Sequence, residues 1–338
     1  MKPTDKLLEQ FMSLFRGYEH AHGQHELNGE PDENGKVKGR ASTRGTGASP
    51  DHYITHLEGR GISLGLIPLM EDNTCWFGAI DIDIQGEVKL KEKIEALEKR
   101  IRGMELPLVV CQSKSGGAHL YFFGEKPVPA KLLTSKLAEF AATLGYGGAE
   151  VFPKQVTRVN KEDRGNWINI SYYGVEGDPK EFRRYCIRNG KPILKLEDFL
   201  KYASQMRYSS EALRTVAVKL SEEFSDGPPC LQYLHTFGLE EGGRNNALTN
   251  VAIYLKKKFP DNWQDKVMEF NFSKVKPALS TSEVQQILKN VSRKDYFYTC
   301  KVPPICNHCD KKLCAKREFG IDGGSKGELI QIDNLTKR

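Results

Sequence analysis

Ala79-Ile80-Asp81-Ile82-Asp83-Ile84 alternates isoleucine with aspartate without a break. Side chains on a β-strand point alternately to its two faces, so the isoleucines would cover one face and both aspartates would stand on the other. Two strand steps separate Asp81 from Asp83 by roughly 6.5 Å. At that spacing their carboxylates can share one or two hard divalent cations. Bare, they would repel each other and resist desolvation on the inner part of a sheet. A solvated strand face with its acids outward accommodates the same six residues, and both readings stand at this point.

The flanks extend the pattern. Trp76 to Ile84, Pro107 to Ser113, Ala118 to Phe123, Ala149 to Phe152 and Asn166 to Tyr173 have the short apolar texture of strands. Glu87 to Met104 carries Val88, Ile94, Leu97 and Ile101 on one helical face, and a second helix is expected from Ala130 to Leu144. Strand, helix, strand, strand, helix, strand predicts an α+β fold with an RRM-like (ferredoxin-like) palm. Upstream, Leu7, Leu8, Phe11, Met12, Leu14 and Phe15 mark an amphipathic helix, and Asn28 to Pro50 is expected as an exposed loop. Helical periodicity runs from Leu196 to Asn290, broken near Pro228 and Pro229, at Gly242 and Gly243, and at Pro260. The expected organisation is a catalytic domain over 1–195 with its core at 61–174, a smaller all-α domain over 196–295, a four-cysteine metal-binding segment over 296–320, and a tail or linker over 321–338.

A third acid, Glu150, opens the strand-like Glu150-Val151-Phe152. Asp81, Asp83 and Glu150 together would supply oxygen ligands for Mg2+ or Mn2+ and leave positions open for triphosphate oxygens and water. Between the acids lies Ser113-Lys114-Ser115-Gly116-Gly117-Ala118-His119. Its glycines permit close backbone approach, and its hydroxyls, lysine and imidazole can face phosphate oxygens. It lacks the Gly-Lys-Ser/Thr of an ATPase loop. An ordinary turn followed by a core histidine is the plainer alternative.

Asp-x-Asp, then Ser-Gly-Gly-Ala-His, then an acid on a strand resembles the three catalytic motifs of the archaeo-eukaryotic primase superfamily. The resemblance covers about residues 61–174. It is carried by Ile80 to Asp83, Ser113 to Tyr121, Glu150 to Gln155 and Gly165 to Asn169, which look like the primases and primase-polymerases of phages, plasmids and mobile defence or conflict elements. It implies that Asp81, Asp83 and Glu150 hold metal, that Ser115 and His119 contact the incoming triphosphate, and that Ser113, Lys114 and Gly117 assist from the same loop. Many members carry Asp at the third position, where this chain has Glu150. Lys154 and Arg158 are candidates to neutralise phosphate charge; Asn169 and Tyr172 are candidates to meet sugar or base.

Gly242-Gly243-Arg244-Asn245-Asn246 opens a helix and resembles the Arg-Asn element of the helical domain that follows many such primases. Arg244 and Asn245 could bind a nucleotide or DNA phosphate there, or simply belong to a helix cap. Cys300, Cys306, Cys309 and Cys314 form a cluster with few apolar neighbours, for which Zn2+ is expected, with an iron-sulfur cluster as the rival and His308 able to replace one sulfur.

The chain has 338 residues, 39% of them hydrophobic and 28% charged, with a net charge of +6. These values suit a soluble protein, and a mildly basic one suits a polyanionic partner without requiring it. No segment is apolar enough to span a bilayer or act as a secretory signal, so a cytoplasmic location is expected. The expected function is a DNA-templated primase-polymerase using a single-stranded template and NTP or dNTP, with a helicase in trans or in a further C-terminal part. The alternatives are a gap-filling or extension polymerase that cannot start chains and a non-catalytic replication-origin or single-stranded-DNA binding protein. His119-Leu120-Tyr121 lacks the paired histidines of nicking initiators.

Overall fold

The alternation around Asp81 becomes the spine of a mixed sheet in the computed structural model, which describes residues 3–31, 37–83, 90–114, 116–160, 163–176, 184–217, 220–239 and 242–321. Two units separate by their internal contacts: Met1–Leu144 with Ala149–Val218, and Gly145–Gly148 with Lys219–Arg338.

In the first unit the chain order is α1 (Asp5–Leu14), β1 (His22–Pro31), β2 (Val37–Arg44), α2 (Pro50–Glu58), β3 (Ile62–Leu66), β4 (Thr74–Ile82), α3 (Leu90–Gly103), β5 (Val109–Gln112), β6 (Ala118–Pro129), α4 (Ala130–Thr143), β7 (Glu150–Phe152), β8 (Ile168–Asn169), β9 (Cys186–Arg188), β10 (Lys191–Ile193), α5 (Leu196–Gln205), β11 (Arg207–Tyr208) and α6 (Ser210–Thr215). One sheet runs β10-β9-β5-β6-β4-β7, with β11 pairing β6 in parallel. A second runs β2-β1-β3-β8. Within the first sheet the connection β4-α3-β5-β6-α4-β7 gives the antiparallel spatial order β7-β4-β6-β5.

The two faces of β4 do different work. Gly78, Ile80 and Ile82 share one face, and a Cβ at Gly78 would stand 2.8 Å from both Leu133 and Leu137, so α4 packs against the backbone there. Phe77 and Ala79 share the other face with Val109, Cys111, Tyr121, Phe123 and Cys186, all buried in one core with Phe11 and Phe15 of α1, Leu57 of α2, Leu64 of β3 and Phe199 of α5. Phe15 meets Phe77, Tyr121 and Phe123 edge-on with ring centroids 5.2 to 5.6 Å apart, near the favoured T-shaped geometry.

Three expectations change. Much of Asn28 to Pro50 is not loop: β1 and β2 form an antiparallel pair, and β1 adds to β3. Their polar, glycine-rich sequence hides this because the stabilising partner is remote. Gly23 and Gly65 lie opposite each other, a Cβ at either would fall within 2.2 Å of the Trp167 ring, and Trp167 Nε1 donates to Thr43 Oγ1 at 3.1 Å. The strand expected over Asn166 to Tyr173 is only Ile168–Asn169, and it pairs with β3 in the second sheet. The expected boundary after 195 moves to Val218, because Leu196, Phe199, Leu200 and Ala203 of α5 belong to the first unit's core. Ile84 to Lys89 and the tail beyond Ile321 lie outside the described residues.

The second unit contains α7 (Pro229–Phe237), α8 (Arg244–Lys258), α9 (Trp263–Lys274), α10 (Thr281–Arg293), a 3-10 turn at Cys306–His308 and α11 (Lys311–Cys314). α8 is its centre, burying Ala247, Leu248 and a continuous run from Asn250 to Leu255. Ser280 and Glu283 close the start of α10 as a reciprocal capping box. Among the described residues, no helix is long and apolar enough to cross a membrane.

Candidate active site

Antiparallel pairing sets Asp81 opposite His119 of β6 on one side and opposite Glu150 of β7 on the other. The same row continues through Cys111 of β5 to Cys186 of β9. Directly opposed residues project to the same face, so Asp81, His119 and Glu150 form a polar margin to the apolar core that Ala79 and Tyr121 enter one step away. Asp81 is half-buried and Asp83, just past the end of β4, is exposed.

The side chains do not all turn toward one point. Asp81 Oδ1 lies 3.4 Å from His119 Nε2, while Glu150 Oε1 lies 2.7 Å from Lys154 Nζ with 59% of its side chain exposed. Among the described residues, no group of three or more His, Cys, Asp or Glu side chains is gathered tightly enough to hold a metal ion. The donor chemistry still suits a hard cation: adjacent strands offer carboxylate oxygens on one face, and rotation of Glu150 away from an exposed lysine costs little.

The loop between β5 and β6 closes on itself. Ser113 N–H donates to the Gly117 carbonyl at 2.9 Å, and Gly117 N–H donates back to Ser113 Oγ at 2.9 Å. A Cβ at Gly117 would sit 2.0 Å from the Ile82 carbonyl oxygen, so only glycine lets the loop lie against the end of β4. Lys114 is exposed, with Nζ 2.9 Å from His25 Nε2. Ser115 lies outside the described residues. Lys154 also lies over the Phe152 ring at 5.1 Å.

Two expected nucleotide contacts are structural instead. Arg158 donates to the carbonyls of Leu69, Met70 and Asp163, and its guanidinium stacks 3.4 Å from the centre of the Tyr18 ring. Tyr172 is fully buried, donates to the Ile193 carbonyl at 2.7 Å and stacks on Phe199. Both follow the motif strands in the chain, which is what makes them resemble phosphate or sugar partners in sequence. Asn169 keeps its place near the row: its backbone carbonyl accepts from Tyr121 Oη at 3.0 Å, and its side chain accepts from Ser63 Oγ at 3.1 Å.

His25, Ser63 and Arg184 escape the sequence reading. Arg184 is buried, donates to Ser63 Oγ at 2.6 Å and lies 4.7 Å over the Tyr173 ring. Burial lowers its pKa to about 10, which leaves it a cation at neutral pH. His25 is opposite Ser63 in the β1–β3 ladder, and burial, then Lys114 and Arg184, lower its pKa. No local signal marks them, since His25 precedes the motif-bearing segment and Arg184 lies beyond the last expected strand.

In the second unit Arg244 donates to the Pro277 carbonyl at 2.5 Å, and the Asn245 carbonyl accepts from Thr249 Oγ1. Both contacts belong to the packing of α8. The cysteine segment, for which zinc or an iron-sulfur cluster is expected, is anchored by protein contacts, and among the described residues its cysteines are not gathered into a metal-holding group. Thr299 is held by Asn246 and Asn250, Ile305 is buried, and Tyr298 Oη donates to the Phe319 carbonyl at 2.7 Å. Cys300, Cys306 and Cys309 are half-buried and Cys314 is buried. Buried Cys230 of α7 lies near them, its thiol raised by burial and then by Cys309, Cys314 and Cys300. His308 stacks on Tyr233 at 3.7 Å.

A search of curated proteins found no significant match. Residues 16–176 match the family described as the archaeo-eukaryotic primase domain of the TOTE conflict system. The matched stretch includes Asp81, Asp83, the Ser113–His119 loop, Glu150 and Asn169. This superfamily is one of primase- and polymerase-type nucleotidyltransferases that generally use divalent metals, and residues 16–176 of the chain belong to it.

Proposed function

We propose that the first unit is a DNA-templated primase-polymerase, with the β7-β4-β6-β5 sheet serving as an RRM-like palm for a single-stranded template and an incoming NTP or dNTP. The observation that carries this reading is the register that sets Asp81 between His119 and Glu150. Asp81, Asp83 and Glu150 would hold Mg2+ or Mn2+. Bound there, such ions supply charge neutralisation on the triphosphate and activation of the attacking 3′-hydroxyl.

The chain's own residues bind and orient. Gly117 keeps the loop close to β4 so that backbone and Lys114 can approach phosphate oxygens, and His119 faces the same row as Asp81. Arg184, a buried cation, adds positive potential beside β3, and His25 offers a neutral ring next to Lys114. Glu150 would exchange Lys154 for metal, leaving the ammonium to pair with phosphate. A helicase acting in trans or on a further part of the protein is the proposed partner, and replication of a phage, plasmid or mobile element, or a conflict system, the proposed setting.

In the second unit, Cys300, Cys306, Cys309 and Cys314 are proposed as zinc ligands ahead of an iron-sulfur cluster, with Cys230 as a fifth thiol nearby. Elemental analysis of purified protein tests this: one equivalent of zinc supports it, and none after purification without chelator rejects it.

The main test is labelled-nucleotide incorporation on unprimed single-stranded DNA with Mg2+ or Mn2+, comparing wild type with Asp81→Ala plus Asp83→Ala. Synthesis by wild type alone is expected. Synthesis only on a primed template would favour the extension polymerase, and DNA binding without incorporation on either template would favour the non-catalytic reading.

A further inference from the structure

We infer that Tyr121 is a positioning residue that fixes which ring nitrogen of His119 carries its proton. Tyr121 follows His119 by two residues on β6 and is fully buried, its ring packed against Phe15 and Phe123 with centroids 5.2 and 5.8 Å away. Its hydroxyl donates to the backbone carbonyl of Asn169 at 3.0 Å. A carbonyl oxygen only accepts, so the phenolic proton is directed there. Burial raises the Tyr121 pKa, so the phenol keeps that proton.

The phenolic oxygen is then left as an acceptor. Ser171 Oγ donates to it at 3.3 Å, and His119 Nδ1 lies 2.8 Å from it. A nitrogen facing an oxygen whose only proton points elsewhere must itself be the donor, so His119 carries its first proton on Nδ1. Its Nε2 faces Asp81 Oδ1 at 3.4 Å. A neutral His119 therefore turns a bare nitrogen to the site and accepts there.

The arrangement spans both sheets of the first unit. Asn169 lies on β8, and its side chain accepts from Ser63 Oγ, which accepts from Arg184. The orientation of His119 is thus referred to the same strand neighbours that hold the buried cation. Removing the Tyr121 hydroxyl would leave Nδ1 with no acceptor at that position and let the ring take its other tautomer.

The tautomer argument stands on geometry alone; its consequence for nucleotide use rests on the function proposed above. The experiment is a long-range 1H–15N correlation spectrum of the full chain labelled at histidine ring nitrogens, recorded at a pH where the ring is neutral and assigned with His119→Ala. Wild type is expected to show a protonated Nδ1 and a bare Nε2 for His119. Tyr121→Phe is expected to shift the ring toward the Nε2-protonated form, with about a fivefold loss of kcat/KM for nucleotide, as for loss of one neutral hydrogen bond. Ser171→Ala, which removes only the second donor to the phenol, should leave the tautomer as in wild type. A protonated Nε2 with a bare Nδ1 in wild type overturns the inference even if Tyr121→Phe fails to fold, and so do unchanged ring shifts in a folded Tyr121→Phe. If wild type incorporates no nucleotide but shows the expected tautomer, the proposed function falls and the positioning role stands.

Discussion

Asp81 and Glu150 stand directly opposite each other on antiparallel β4 and β7, although two helices and two strands intervene between them in the chain. Neighbouring strands lie about 4.8 Å apart. That proximity makes the two acids candidates for a shared task. Asp81→Asn, which keeps shape and removes charge, is expected to lower nucleotide incorporation by about 100-fold or more with an unchanged circular dichroism spectrum. Lys154→Ala removes a pair that is largely in solvent and should change stability by less than about 1 kcal/mol. Chemical denaturation measures the second effect, and a primer-extension assay the first.

Arg158 is expected to matter for stability. Its guanidinium satisfies three backbone carbonyls and covers Tyr18. Arg158→Ala strips donors from carbonyls around Leu69 and Asp163 and should cost about 3 kcal/mol in urea unfolding. Arg158→Lys should recover little of it, because an ammonium cannot reproduce the planar fork. Wild-type stability in Arg158→Ala would contradict the structural role.

Gly117→Ala should disable the loop without unfolding the domain. The added carbon would meet the Ile82 carbonyl oxygen at 2.0 Å, so the loop must move away from the end of β4. Titration with a fluorescent nucleotide analogue is expected to show at least about tenfold weaker binding, on the view that the loop must hold phosphate closely. Equal affinity would remove the loop from the site.

Stability should fall in acid through His56. Its Nε2 donates to the Ser171 carbonyl at 2.9 Å while Nδ1 accepts the Leu64 N–H at 3.0 Å, so the folded protein holds the neutral ring. Burial lowers its pKa from 6.5 to about 3. The unfolded chain therefore binds a proton that the folded chain refuses. The contribution is complete above pH 6.5 and is lost progressively as pH falls toward about 3. Urea midpoints across that window should decline, and His56→Asn should flatten the decline while lowering stability at neutral pH.

The residues that sequence makes legible are those whose meaning is local. Strict alternation assigns the faces of β4, helical spacing assigns Ile94, Leu97 and Ile101 of α3, and the order of acids and glycines points to the carboxylates, the loop and His119. The pairing of β1 with β2 and β3 could not be read that way, because Gly23 and Gly65 make sense only under the Trp167 ring, which a distant part of the chain supplies. Nor could the surroundings of the buried cation Arg184: His25, Ser63 and Arg184 meet only because β3 lies beside β1 and the chain returns past β8. Alternation is a property of one extended segment, so it survives without the fold. Which oxygen receives a given proton, and whether an arginine such as Arg158 faces phosphate or a backbone carbonyl, depends on groups brought together from distant segments, and only tertiary packing decides it.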